Sequence, residues 1–376
     1  MTDFHLAVAR RGTGSAKWSI PDGVLPLSIA DAEWATAPAV LDAVQKRLNG
    51  HAVYGYSFGG AALRCAVAAW YQRVYGLETD PEWVVPLTGI VPALSALTAL
   101  ADGDVLANAP NYGLLLTAAE RAGKRTILSP ATRRTSGSSL TYEADYGDLE
   151  RKSAHAGLYY FCNPHNPIGK VYPKAELRRI ADFAEERGLI AVSDEIHCEI
   201  VYDRPHTPFF AAAPYRSVTL TSPGKICNMS GIPVAAAVVP DAGLRERVKR
   251  IAFRLGFPGE LNMAAGVGAY SPACDEWKRE AVAYLRGSRD ELAAALRRRL
   301  PKARCTVTEG TYLQWIDLSA YHLGGAADFL LKNARVALTD GAGFGGTEDE
   351  VRLNFACPRE MLTETLNRME EALKNV

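Results

Sequence analysis

Three times in the middle of this chain a short apolar run ends in a dense polar cluster. Tyr159-Tyr160-Phe161 runs into CNPHNPIG, Ile190-Ala191-Val192 into SDEIH, and Val218-Thr219-Leu220 into TSPGK. From residue 62 to about 240 such strand-like runs alternate with helical patterns, which predicts a mostly parallel sheet with covering helices. Pro173 to Arg187 illustrates the alternation: Leu177, Ile180 and Ala184 recur at helical spacing, Gly188 ends the pattern, and LIAVS follows as a buried strand. Ligands of open α/β sheets sit in the crevice outside the carboxyl ends of the strands, so three clusters that follow three strands are expected to face one site. Together they offer an amide, a carboxylate, an imidazole, a hydroxyl and a lysine.

The flanks read differently. The first 50 residues suggest an arm followed by a helix, with Thr36-Ala37-Pro38 as its start and Val40, Val44 and Leu48 as its apolar stripe. A Gly-Tyr-rich stretch, HAVYGYSFGG, comes next. The last third carries long helical segments around 275 to 300, then TYLQWIDL and VRLNF as strands, and an amphipathic end marked by Leu362, Leu366, Met369 and Leu373. At 376 residues the expected organisation is a large domain over 50–260 and a smaller α+β domain built from 1–49 and 261–376.

Charge and cysteines narrow the partners. Lys+Arg and Asp+Glu both total 42, leaving no net charge to attract nucleic acid or an anionic membrane, so a small polar ligand is expected. The seven cysteines are scattered and never spaced CxxC, which argues for reduced cytosolic thiols over disulfides or a zinc site. The start, MTDFHLAVARRGTG, has no apolar signal core, and no run approaches the roughly 20 apolar residues of a membrane span. A soluble, cytoplasmic protein is expected.

Several motif matches lack their context. Gly341, Gly343 and Gly346 satisfy GxGxxG, but TEDEVRLNF after them is no crossover helix, as a dinucleotide site requires. Lys225 follows Gly224, yet no GxxxxGK[ST] loop exists. His197-Cys198-Glu199 matches HxE of zinc deaminases without the PCxxC partner. No metal site is expected.

A lysine just beyond a strand, with a carboxylate, an anion site and an arginine elsewhere, meets the needs of pyridoxal phosphate. That cofactor requires an amine for its Schiff base, a carboxylate for its ring nitrogen, and donors for its phenolate and phosphate. TSPGKICNMSGI, CNPHNPIG, SDEIH and EVRLNFACPR resemble the fold-type I pyridoxal-phosphate enzymes of the aminotransferase class I/II superfamily. RRGTGSAKW, LPLSIADAEWATAPAV, VYGYS, TGIVPALS and LTDGAGFG look more narrowly like its carbon-sulfur lyase subgroup, the bacterial cystathionine β-lyases. The likeness runs from about residue 10 to 370, and implies the PLP-transferase fold.

By that resemblance Lys225 is the Schiff-base lysine and the acid-base that moves the Cα proton. Asp194 pairs with the pyridinium nitrogen, Asn166 donates to the phenolate oxygen, and His197 supports that oxygen, with a core histidine as its alternative role. Tyr112 in APNYG lies on the ring and belongs to the catalytic set with Lys225. Arg352 takes the substrate carboxylate in two parallel hydrogen bonds. Tyr56 in VYGYS reaches the neighbouring subunit's phosphate, which implies a homodimer with a shared site. The phosphate is expected at the free amides of Gly89, Ile90 and Val91, where a strand-like WVVPL gives way to an apolar helix, with Ser222 as a second donor.

Three departures stand out. Gly224 precedes the lysine where relatives commonly have Ser or Thr, Pro233 sits where many aminotransferases carry a phosphate-binding arginine, and the arm reads ADAEW where the subgroup has an Asp-Met-Asp core. The implied reaction is α,β-elimination from cystathionine or a related cysteine S-conjugate. An aminotransferase, a tailoring enzyme on an unusual amino acid, and a regulatory protein that retains the fold are the alternatives.

Overall fold

The computed structural model describes residues 2–50, 53–55, 60–374 and 376. Its centre is a seven-stranded sheet with the spatial order Val84–Leu87, Ala235–Val238, Ser217–Thr221, Ile190–Asp194, Ala156–Cys162, Asp104–Ala109 and Thr126–Pro130. Ala235–Val238 runs antiparallel to both neighbours, and the strands from Ser217–Thr221 to Thr126–Pro130 pair in parallel. The three apolar runs of the sequence are therefore three adjacent parallel strands.

These strands are apolar without interruption because both faces of the sheet are covered. Side chains alternate along each strand. Tyr159, Phe161 and Ala191 join Leu177, Ile180 and Phe183 of the helix Lys174–Glu186 on one face. Leu158, Tyr160 and Val192 meet Leu94 and Leu97 of the helix Ile90–Leu97 and Val248 and Ile251 of Ala242–Leu255 on the other. Leu177 and Ile180 are fully buried, and each such side chain contributes about 1.5 to 3 kcal/mol of transfer free energy. Gly188, at φ 68°, turns the chain out of the helix into Ile190–Asp194, as its place in the sequence predicts.

A second, six-stranded sheet has the order Thr339–Asp340, Glu350–Asn354, Leu313–Asp317, Arg304–Thr306, Ser139–Glu143 and Thr132–Ser136. Its last two strands form a hairpin that lies within 50–260 in sequence yet pairs with Arg304–Thr306, so the two sheets do not divide at residue 260. The helix Asp275–Arg299 and the final helix Arg359–Leu373 pack with this half, the latter through Leu362, Leu366, Met369 and Leu373. DGAGFGG forms the short turn Ala342–Phe344 between two strands of this sheet.

The helix Pro38–Gly50 starts where expected, but its apolar stripe is corrected by the structure. Val40 is buried and Val44 partly so, whereas Leu48 and Leu41 lie on solvent. Before this helix the arm is held by a buried ion cluster. Glu33 lies 2.7 Å from the Lys17 ammonium and 2.9 Å from Arg10, and accepts a 2.9 Å hydrogen bond from Trp18 Nε1.

Candidate active site

A cavity of about 690 Å3 opens at the carboxyl ends of the parallel strands, and the arm and the second sheet wall its far side. Lys225, Tyr112, Asp194, Asn166, His197, Gly89, Ile90, Val91, Ser222 and Arg352 all line it. Tyr56 lies outside the described residues. Asp194 is the last residue of its strand, Asn166 follows Ala156–Cys162, and Ser222 and Lys225 follow Ser217–Thr221. Adjacent parallel strands thus deliver the three polar clusters to one place, as the crevice rule requires. Among the described residues no group of three or more His, Cys, Asp or Glu side chains could hold a metal ion.

Burial sets the electrostatics. Desolvation pulls the Lys225 ammonium down to about 8, with Arg352 adding to the shift and Asp31 and Asp194 opposing it. Its Nζ donates to the Ala30 carbonyl at 2.7 Å. Desolvation pushes the Asp194 carboxyl up to about 6, against the Ile196 amide that donates to it at 3.1 Å. His197 is held well below the usual imidazole range by burial, with Lys225 and Arg352 adding to it. Its ring meets Tyr312 edge to face at 5.6 Å, and its Nδ1 is buried with no hydrogen-bond partner. Tyr112 is pushed up to about 12 by burial first and the Asp194 charge second.

Arg352 lies on Glu350–Asn354, opposite Thr339 in the register, and its guanidinium stacks over the Phe344 ring with 4.7 Å to the centroid. Burial lowers it to about 10. Nη1 donates to Asn166 Oδ1 at 3.1 Å and Nη2 to the Ser28 carbonyl at 3.0 Å. The Asn166 carbonyl oxygen is therefore committed to Arg352, and its amide nitrogen is the group left for the cavity.

At the opposite end the helix Ile90–Leu97 starts beside the cavity with Gly89 as its N-terminal flank. Its first amides have no carbonyl one turn back to receive them. Ser222 Oγ donates to Val234 O at 2.7 Å and accepts from the Gly224 amide at 3.2 Å. A methyl in place of a Gly224 hydrogen would come within 3.2 Å of that same Oγ, so glycine at this position leaves the Ser222 hydroxyl undisturbed.

Sequence reasoning missed the arm's backbone. The Ala30 carbonyl receives both Lys225 Nζ and the Tyr312 hydroxyl, the latter at 2.9 Å. Asn354 Nδ2 donates to Ile29 O and Asp31 O, and Asn228 Nδ2 to Ala32 O and Trp34 O. A carbonyl leaves no mark in a residue string. The nearest signals were the asparagines of ICNMSG and RLNF, polar side chains inside apolar surroundings, which must find partners when buried.

The model of the family described as aminotransferase class I and II matches residues 22–369. Cystathionine beta-lyase PatB of Bacillus subtilis (strain 168) is 31% identical, over 99% of this chain and 100% of its own length. The pyridoxal-phosphate-bound carbon-sulfur lyase of Staphylococcus hominis superposes with a TM-score of 0.90 at 28% identity, covering 99% of this chain and 98% of its own. Cystalysin of Treponema denticola, whose crystal structure contains pyridoxal 5'-phosphate, superposes with a TM-score of 0.92 at 27% identity, covering 100% of this chain and 99% of its own. With its strand-end cavity and a match across nearly all of its length, the chain belongs to the aminotransferase class I and II family.

Proposed function

We propose that this protein is a pyridoxal-phosphate-dependent carbon-sulfur β-lyase that cleaves cystathionine or a related cysteine S-conjugate. The supporting observation is the cavity itself: a partly buried, easily deprotonated lysine, a buried carboxyl and an arginine without a carboxylate partner among the described residues face one space. The names carried by its relatives, cystathionine beta-lyase and carbon-sulfur lyase, give the reaction class.

The donor set fits the cofactor. The Asp194 carboxyl, held by one backbone amide in a buried site, is suited to a cationic ring nitrogen, which would stabilise its carboxylate form. His197, with its unpartnered Nδ1, and the free amide of Asn166 suit the ring oxygen. Tyr112 supplies an aromatic face, and the amides of Gly89, Ile90 and Val91, with Ser222, suit the phosphate. Lys225 supplies the amine that anchors the group. When bound, pyridoxal phosphate supplies an electron-withdrawing ring that spreads the charge left at the substrate's Cα.

The side chains supply orientation and proton transfer. Arg352 would fix the substrate carboxylate, which holds the amino acid in one orientation over the lysine's side of the cavity. Lys225 would be set free when the substrate amine takes its place, and as a free amine lowered to about 8 it is in reach of its neutral form near physiological pH and would take the Cα proton. The Cβ–S bond breaks and the sulfur leaves as a thiol. Addition of water then gives pyruvate and ammonia, so one S-conjugate and one water balance one thiol, one pyruvate and one ammonia.

The enzyme works in the cytoplasm as a homodimer whose neighbouring subunit completes the site. Leu41 and Leu48, seven residues apart on one face of Pro38–Gly50, supply an exposed apolar surface for that contact.

Incubation with cystathionine, scored together for thiol, pyruvate and keto acid, tests the reaction. Thiol and pyruvate in equal amounts are expected. Conversion of the substrate to its own keto acid without thiol release overturns the proposal in favour of transamination.

A further inference from the structure

The Arg352 guanidinium has five N–H groups, and their partners divide unevenly. Nη1 donates to Asn166 Oδ1 at 3.1 Å. Nη2 donates to both Ser28 O at 3.0 Å and Thr339 Oγ1 at 3.3 Å. Nε is buried with no partner. Thr339 Oγ1 in turn donates its proton to Ser28 O at 2.8 Å, which closes a triangle of Arg352, Thr339 and the arm carbonyl. Thr339 and Ser28 both line the cavity.

A buried N–H without an acceptor is costly unless a ligand satisfies it. In the planar fork Nε and Nη2 share one edge, and a carboxylate that grips this edge gives one oxygen to each. Nε has no partner and no exposed surface of its own, so the guanidinium must shift slightly to offer this edge, and Nη2 is held by two neutral oxygens. One of them must yield its place, and only the Thr339 hydroxyl can answer by rotating, because the Ser28 carbonyl is fixed in the backbone.

We propose that Thr339 is a positioning residue for the substrate carboxylate. It holds Nη2 in the plane that a side-on carboxylate needs, and on binding its hydroxyl turns from Ser28 toward the incoming oxygen. Carboxylate recognition is thereby tied to the arm that also carries the Ala30 contact of Lys225. The inference rests on the reading of Arg352 as the carboxylate site.

The test uses the cofactor-loaded enzyme and two small probes: propionate, which has a carboxylate and no amine or leaving group, and propylamine, which has no carboxylate. Dissociation constants are measured by calorimetry for the wild type, Thr339→Val and Thr339→Ser, with Thr339→Ala as a second hydroxyl-free variant should the valine chain fail to fold. Thr339→Val or Thr339→Ala is expected to weaken propionate about tenfold, the scale of one hydrogen bond to a charged group, with propylamine unchanged. Thr339→Ser is expected to restore propionate to within about twofold, and the KM of an S-conjugate should rise in the valine variant while kcat holds. Unchanged propionate affinity in the hydroxyl-free variants, equal weakening of both probes, or no rescue by serine overturns the proposal. A wild type that binds propionate in this way but releases no thiol from any S-conjugate sinks the lyase reading and leaves the clamp standing.

Discussion

Lys225 shows how its surroundings turn an ordinary side chain into an easily deprotonated amine. Its folded value of about 8 lies below the ordinary 10.5, so between those pH values the unfolded chain holds a proton that the folded cofactor-free protein has released. Stability from this group therefore rises with pH across that window, and below pH 8 the buried ammonium is a cost of at most about 3 kcal/mol. Lys225→Met in cofactor-free protein is expected to be more stable than wild type at pH 7, with the gain fading toward pH 10.5, in urea melts across that range. The same substitution, like Lys225→Ala, should abolish the visible absorbance of the loaded protein and lower turnover by orders of magnitude. Asp194 has the opposite sign. Its value rises from 3.8 to about 6, so its contribution falls as pH rises through that interval. Asp194→Asn is expected to stabilise the cofactor-free protein at pH 7 while weakening cofactor affinity in an absorbance titration. Lys225 and Asp194 were legible because charged residues in dense clusters after apolar runs have few reasons to be there other than chemistry, whereas Arg352 lies inside a strand and was singled out by the family resemblance alone. The Ala30 carbonyl was not, since every residue has one and only the fold selects it.

Among the elements the arm depends most on one side chain. Glu33 neutralises Lys17 and Arg10 inside a cluster where Glu33 and Lys17 are almost free of solvent. Removing Glu33 leaves the buried Lys17 with Asp31 alone, 3.4 Å away, and costs up to the roughly 3 to 5 kcal/mol of a broken buried pair. Glu33→Ala should shift the urea midpoint accordingly and lower activity, because the same arm presents Ser28 and Ala30 to Arg352 and Lys225. Retained activity at full cofactor occupancy would separate the arm from the chemistry. The arm's sequence, RRGTGSAKW and ADAEW, marked it as a segment with a purpose, yet its ion pairs join residues 10, 17, 31 and 33 in a geometry no periodicity encodes. Helix Pro38–Gly50 shows the converse limit. Its start was legible from Thr36-Ala37-Pro38, but helical spacing groups Val40, Val44 and Leu48 without saying where the covering protein ends, and it ends before Leu48.

For the molecule as a whole, the exposed Leu41 and Leu48 make the proposed homodimer testable. Leu41→Glu combined with Leu48→Glu is expected to convert a dimer to monomer in sedimentation velocity and to lower activity, with the circular dichroism of the fold retained. A wild type that sediments as a monomer at full activity would remove the shared site. The sequence by itself determined the parallel sheet, its order of strand and helix, and the polar clusters at strand ends, because burial on both faces demands unbroken apolar runs and loops collect what those runs exclude. Only the tertiary structure decided that the hairpin of Thr132–Ser136 and Ser139–Glu143 joins a sheet completed some 160 residues later, and that Ser28, Thr339 and Asn166 converge on one guanidinium. Pairings between distant segments are fixed by the closing of the whole core, and no local stretch of residues carries that information.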